Sequence, residues 1–268
     1  RIEANMPTQP IVLVTRPERE AGPWVQALRA EGVQAEAFPL IDIAALPDAA
    51  ALQAAWQQVP LCLAVMFVSA NAVRFFMAAQ PGGVHVQACR AWATGPGTQA
   101  ALLAAGWPAQ QIDAPAADSS QFDSEALWAV VAERVRAAQV QGPARVLIVR
   151  GADAQGQMAG RDWLAQQLEA AGLQVVQAVA YVRHAPVLSP AQQARAEQAM
   201  HDGSLWLFSS SEAALHLTQA CPRLDLSQAR ALATHPRIAE RLRQAGWGHV
   251  QLVPAVLSAQ ALSIKSLS

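Results

Sequence analysis

Short runs of apolar and β-branched residues alternate along this chain with longer alanine-rich stretches whose apolar positions recur at helical spacing. The runs predict strands at Ile11–Thr15, Ala35–Pro39, Leu61–Val68, Ala91–Thr94, Gln111–Ala114, Arg145–Val149, Val175–Val182, Leu205–Phe208, Ala229–Thr234 and His249–Val253. Most of them are continuously apolar, so they read as strands buried on both faces. The stretches between them read as helices covering a parallel sheet on either side. The expected class is α/β.

The same pattern repeats within the chain. At an offset of 140 residues, Ala91-Trp-Ala-Thr-Gly-Pro96 and Gly106-Trp107 match Ala231-Leu-Ala-Thr-His-Pro236 and Gly246-Trp247. Alanine matches count for little in this composition, but Thr94/Thr234, Pro96/Pro236 and the Gly-Trp pairs fall at equivalent strand ends, helix starts and helix stops. That offset also aligns Ser69 with Ser209, whereas Leu13-Val-Thr-Arg16 aligns with Leu147-Ile-Val-Arg150 at an offset of 134. The second copy therefore carries about six extra residues near Ala152–Met158. Two similar α/β units are expected, each presenting its strand C-terminal loops to ligand, with the site in a cleft between them.

Composition narrows the chemistry. With 19 basic and 20 acidic residues the formal net charge is −1, so no overall field draws in a nucleic acid and any anion must be caught locally. No apolar run approaches the roughly 20 residues of a membrane helix, and no signal peptide precedes Ile11; a cytoplasmic protein starting at Met6 is the expectation. Cys62, Cys89 and Cys221 lack metal-ligand or disulfide spacing and read as packing residues, and the six histidines form no HxxxH pattern, so no metal site is expected.

Candidate ligand contacts cluster at strand-to-helix turns. Ser69-Ala70 and Ser209-Ser210 supply hydroxyls where a helix begins; they cap the helix, and the free N–H groups of the same turn suit a carboxylate. Arg16, Arg150 and Arg237 each read as lying just beyond a strand, with Arg161 at a helix start, where guanidinium groups suit an anionic ligand. Gly95-Pro-Gly97-Thr98, with Asp113 downstream, superficially resembles a dinucleotide fingerprint, but its repeat copy His235-Pro-Arg237-Ile238 lacks the glycines. Tyr181 is the only tyrosine and lies late in an extended run. Neither a catalytic triad, a carboxylate pair nor a P-loop is written in the sequence.

Taken in order, Val14-Thr-Arg-Pro17, Phe67-Val-Ser-Ala-Asn-Ala-Val73, Gly95-Pro-Gly-Thr98, Ile148-Val-Arg-Gly151, Gly160-Arg-Asp-Trp-Leu164, Tyr181-Val-Arg183 and Phe208-Ser-Ser-Ser211 resemble the uroporphyrinogen-III synthase family, from about Ile11 to Pro254. The resemblance implies two flavodoxin-like domains joined by a two-stranded linker: residues 6–40 with 184–268, an inserted domain of residues 45–179, and crossings at 38–45 and 179–186. It implies a cofactor-independent hydro-lyase of haem biosynthesis, acting as a monomer with transient contact to the upstream hydroxymethylbilane synthase. Its substrate is the linear tetrapyrrole hydroxymethylbilane, which loses a hydroxyl to give an azafulvene and closes through a spiro intermediate that inverts ring D.

By that resemblance Tyr181 assists hydroxyl departure. Ser69 and Thr98 match other cleft positions of the family, and Arg16, Ala70, Arg150, Gly151, Arg161, Ser209, Ser210, His235 and Arg237 are expected to contact substrate with them. The family's threonine-rich turn is replaced by His235-Pro-Arg237-Ile238, so Arg237 is expected to grip a carboxylate instead. Two readings from other classes stay open: a two-lobed small-molecule binding module, and a nucleotide-dependent Rossmann-like enzyme.

Overall fold

The computed structural model describes residues 9–86, 89–158 and 162–267. In chain order the N-terminal elements are β1 (Val12–Val14), α1 (Glu18–Ala30) and β2 (Ala35–Ala37). Next come β3 (Asp42–Ala45), α2 (Ala50–Trp56), β4 (Ala64–Phe67), α3 (Ala70–Ala78), β5 (Arg90–Ala93), α4 (Pro96–Ala104) and β6 (Ile112–Asp113). They are followed by α5 (Ser124–Val140), β7 (Arg145–Ala152), α6 (Trp163–Ala170) and β8 (Gln174–His184). The chain ends with α7 (Pro190–Ala199), β9 (Leu205–Phe208), α8 (Ser211–Ala220), β10 (Arg230–Ala233), α9 (Pro236–Gln244), β11 (His249–Leu252) and α10 (Leu257–Lys265).

Two compact units result, Arg1–Asp42 with Ala185–Ser268, and Ile43–His184. The first holds a sheet of order β11-β10-β9-β1-β2, and the second a sheet of order β3-β8-β7-β4-β5-β6. Renumbered along its own chain, the first unit reads 2-1-3-4-5, the flavodoxin-like order, with its switch point between β1 and β9. The second has the same order once its count begins at β7; its switch point lies between β7 and β4. All ten predicted strands are present, and β3 is an addition that pairs with β8 at the edge of the second sheet.

Helices cover both faces because alternate strand residues point in opposite directions. In the second unit Val65, Phe67, Leu147 and Val149 pack with Trp56 and Phe76, whereas Ala64, Met66, Val146 and Ile148 pack with Leu127, Val131 and Leu168. In the first, Val12, Val14, Leu205 and Leu207 meet Val25 and Leu28 of α1 and Ile264 of α10.

Strand pairing refines the internal repeat. Val12 pairs with Leu205, and Val146 pairs with Ala64, so the 134-residue offset between β1 and β7 holds in register. The β4/β9 equivalence runs one residue later than the sequence match: Ala64 corresponds to Leu205, Phe67 to Phe208, and Ser69 to Ser210 in place of Ser209. Packing settles this shift. Phe67 meets Trp107 edge-on at 5.7 Å, and Phe208 meets Trp247 edge-on at 5.2 Å, so each Gly-Trp pair seats its indole against the strand-ending phenylalanine.

Two sequence expectations acquire physical content here. Cys62 and Cys89 are buried, and desolvation pushes their thiols up to about 11 and about 12, leaving them protonated packing groups at neutral pH. Asp113 accepts two bonds from Arg90 (2.7 and 2.9 Å) and one from Trp92 Nε1 (3.1 Å), and Arg134 lies 3.6 Å away. Its carboxylate is committed to holding β5 against β6. It is therefore not available as the ribose ligand that a dinucleotide fingerprint would require.

Candidate functional site

At the second unit's switch point, Tyr181 owes its direction to a bulge. Arg150 pairs with Val179 but Gly151 pairs with Tyr181, so β8 carries an extra residue, Ala180, opposite that step. The bulge breaks the side-chain alternation, and Ala180 and Tyr181 both enter the cluster of Phe67, Phe76 and Val149. Tyr181 is only 3% exposed and stacks on Phe75 of α3 at 5.7 Å. Its hydroxyl lies 2.8 Å from Ser69 Oγ, which also accepts the Ala72 N–H at 3.0 Å and so caps α3.

The glycine at 151 makes this placement sterically open. A Cβ there would lie 2.5 Å from Tyr181 Cε2 and 2.6 Å from Cζ, well inside carbon–carbon contact. Gly151 is thus a seat for the phenol ring. Ala70 opens α3 directly after the capping serine, and Thr98, 7% exposed, sits in the first turn of α4 behind the Gly95 N-cap.

Arg150 departs from its expected position. It lies inside β7, which runs on to Ala152 because β8 continues to pair beside it, and it is 5% exposed. One of its terminal nitrogens, Nη1, donates to Asp162 (3.1 Å) and to Gln177 (2.8 Å). The group is an internal tie between β7, β8 and the start of α6. Arg161 and Gly160 lie outside the described residues.

At the first unit's switch point, Thr15 Oγ1 donates to the Leu207 carbonyl at 2.7 Å and ties β1 to β9. Arg16 follows, its guanidinium 4.0 Å over the Trp24 ring, with Nε buried and without a hydrogen-bond partner among the described residues. Burial lowers its pKa, and Glu20 offsets part of that desolvation. Of the two serines expected at this turn, Ser210 caps α8 by accepting the Glu212 N–H (3.1 Å), and Ser209 Oγ is buried without a partner among the described residues.

The neighbouring turn uses an imidazole where hydroxyl or glycine is common. His235 Nδ1 accepts the Arg237 N–H at 3.0 Å and caps α9, while Arg237 is exposed in that helix's first turn. Sequence reasoning missed Trp24 beneath Arg16, Phe75 against Tyr181, and Gln177 on Arg150. An aromatic residue within a helix beside the site and a polar residue inside an apolar strand are the weak signals that could have found them.

Fold and turns define the class, a two-unit flavodoxin-like α/β protein with polar groups gathered at each switch point. Among the described residues there is no cluster of three metal-ligating side chains, and no helix long and apolar enough to cross a membrane. The sequence matches the HEM4 family, uroporphyrinogen-III synthase HemD, over residues 22–263. Two solved structures share the fold. A mutant uroporphyrinogen III synthase from the extremely thermophilic bacterium Thermus thermophilus is 18% identical, with a TM-score of 0.57 over 96% of this chain and 98% of that one. The uroporphyrinogen-III synthetase of Helicobacter pylori is 17% identical, with a TM-score of 0.57 over 97% of this chain and 100% of that one. No curated protein sequence matches.

The chain belongs to the uroporphyrinogen-III synthase family. It is a hydro-lyase of haem biosynthesis that cyclises hydroxymethylbilane to uroporphyrinogen III, inverting ring D and releasing water. The binding-module and nucleotide-dependent readings are not favoured.

Proposed function

We propose that the Tyr181–Ser69 pair of this synthase supplies the proton that carries away the substrate's hydroxyl. The supporting observation is the 2.8 Å contact between the two hydroxyls. Two hydroxyls hold two protons, and their mutual bond uses one, so the pair retains one O–H to donate whichever way that bond points. The Ala72 N–H occupies a lone pair of Ser69 and fixes the serine rotamer. Tyr181 is buried and Ser69 is half-buried, so the serine is the outer end of the pair.

In this reading Arg16, Ser209, Ser210, Thr98, Arg237 and the opening turns of α3 and α9 bind acetate and propionate carboxylates, with Gly151 seating the phenol and Arg150 bracing the strand beside it. The crossings at 38–45 and 179–186 act as the linker between two domains. The enzyme works as a cytoplasmic monomer and takes its unstable substrate through transient contact with hydroxymethylbilane synthase.

A coupled assay that supplies hydroxymethylbilane and measures type III against type I uroporphyrinogen tests this. Ser69→Ala is expected to lower kcat about tenfold with little change in KM, since it removes the outer hydroxyl and a cap of about 1 kcal/mol. An unchanged kcat would remove Ser69 from the proton path. Arg237→Ala is expected to raise KM about tenfold, the loss of one charge-assisted hydrogen bond. An unchanged KM would leave Arg237 as a solvated surface group.

A further inference from the structure

The internal repeat exposes an arginine whose carboxylate partner has been exchanged. In the second unit Arg90, the first residue of β5, holds the Asp113 carboxylate of β6 through two short bonds, and Ala91 and Trp92 pair with Ile112 and Asp113. In the first unit Arg230 opens β10, and Ala231 and Leu232 pair with Val250 and Gln251 of β11. Arg230 therefore takes the place of Arg90, and Gln251 the place of Asp113. The guanidinium is kept, but a neutral amide stands where its counter-charge would be. Among the described residues no carboxylate lies within ion-pair distance of Arg230.

Arg230 and Gln251 line one cavity of about 590 Å³, together with Gln228, Arg243 and His249, and no acidic residue joins the lining. Arg243 sits in the last turn of α9, where it also offsets the negative end of the helix dipole. That role does not extend to Arg230, which belongs to a strand. The wall is tied to its surroundings: Gly248 N–H donates to the Leu226 carbonyl at 2.9 Å, and the indole of Trp247 meets Trp206 and Phe208 edge-on.

The cavity opens at the N-terminal ends of β10 and β11. The switch point of this unit lies at the C-terminal ends of its strands, roughly 10 Å away along a four-residue strand. It is thus separate from the turns assigned to the tetrapyrrole. We propose that this groove is a second binding site, which takes a small carboxylate-bearing molecule whose carboxylate replaces the missing Asp113 equivalent on Arg230, with Arg243 and His249 contacting a second acidic group.

Gln251→Asp provides the test, because it rebuilds inside the first unit the pair that the second unit already has. Titration calorimetry at constant ionic strength, with succinate, citrate, inorganic phosphate and chloride as probes, is expected to give saturable binding of citrate or succinate on the order of 1 mM. Phosphate is expected to be weaker and chloride undetectable. Gln251→Asp and, separately, Arg230→Gln should each weaken that binding at least tenfold, and Gln251→Asp should raise the melting temperature while leaving the rate of uroporphyrinogen III formation unchanged. Equal affinity in wild type and Gln251→Asp, no saturable binding of either carboxylate, or tighter binding of phosphate would each overturn the assignment.

Discussion

Tyr181→Phe is expected to lower kcat about a hundredfold, the low end of the range for a positioned general acid, with KM nearly unchanged. Phenylalanine keeps the ring that stacks on Phe75 and lies over Gly151, and the Ser69 cap on the Ala72 N–H is untouched. Only the hydroxyl and its bond to Ser69 are lost, costing about 1 kcal/mol of stability. A rate defect far larger than the stability defect therefore isolates the proton. The product should shift toward type I, because hydroxymethylbilane that is not activated on the enzyme closes in solution without inversion. Full rate and an unchanged isomer ratio would dismiss the phenol as a catalytic group.

Gly151→Ala approaches the same ring from the other side. Its Cβ would stand 2.5 Å from Tyr181 Cε2, so the ring must move by about 1 Å to restore contact distance, enough to break the bond to Ser69. A kcat loss comparable to that of Tyr181→Phe is expected, now with about 1–3 kcal/mol of destabilisation from overpacking. The double variant should be no slower than either single one, since both remove one hydroxyl from its place.

The largest stability effect is expected at Gly248. A Cβ there would lie 1.8 Å from the Ser227 carbonyl oxygen and 2.5 Å from its carbon. Both are backbone atoms and cannot swing aside as a side-chain tip would. Gly248→Ala is expected to cost about 3 kcal/mol or more and to lower the melting temperature by about 10 °C. Gly97→Ala is the control: nothing lies within 4 Å of its Cβ, so the melting temperature should not fall. A Gly248→Ala protein as stable as the wild type would show that the 226–228 turn can retreat.

Much of the architecture was legible because apolar periodicity reports burial directly. Continuous runs such as Ala64–Phe67 and Leu205–Phe208 are buried at every position, and parallel strands covered on both faces require that. The edge strand Asp42–Ala45 shows in the sequence only as an extended crossing, since it is short and partly exposed. The site was less legible. Arg150 read as a strand-end group because the apolar run stops at Val149, yet pairing with β8 carries the strand onward and buries it. The turn Ser209-Ser210 offers two hydroxyls to cap α8, and the gapless alignment pairs Ser69 with Ser209, whereas the helix start makes Ser210 the cap.

By itself the sequence determined the α/β class, the internal repeat and, through the order of its motifs, the family. These depend on local patterns: burial recurring with the period of a strand or helix, and turn residues at fixed positions. Only the tertiary structure decided which polar groups meet. The bulge at Ala180 turns Tyr181 toward Ser69, 112 positions away in the chain, and the β10/β11 register sets Gln251 where the other unit has Asp113. A pairing register is a property of two distant segments and of the packing that locks them together. No window along one segment contains it.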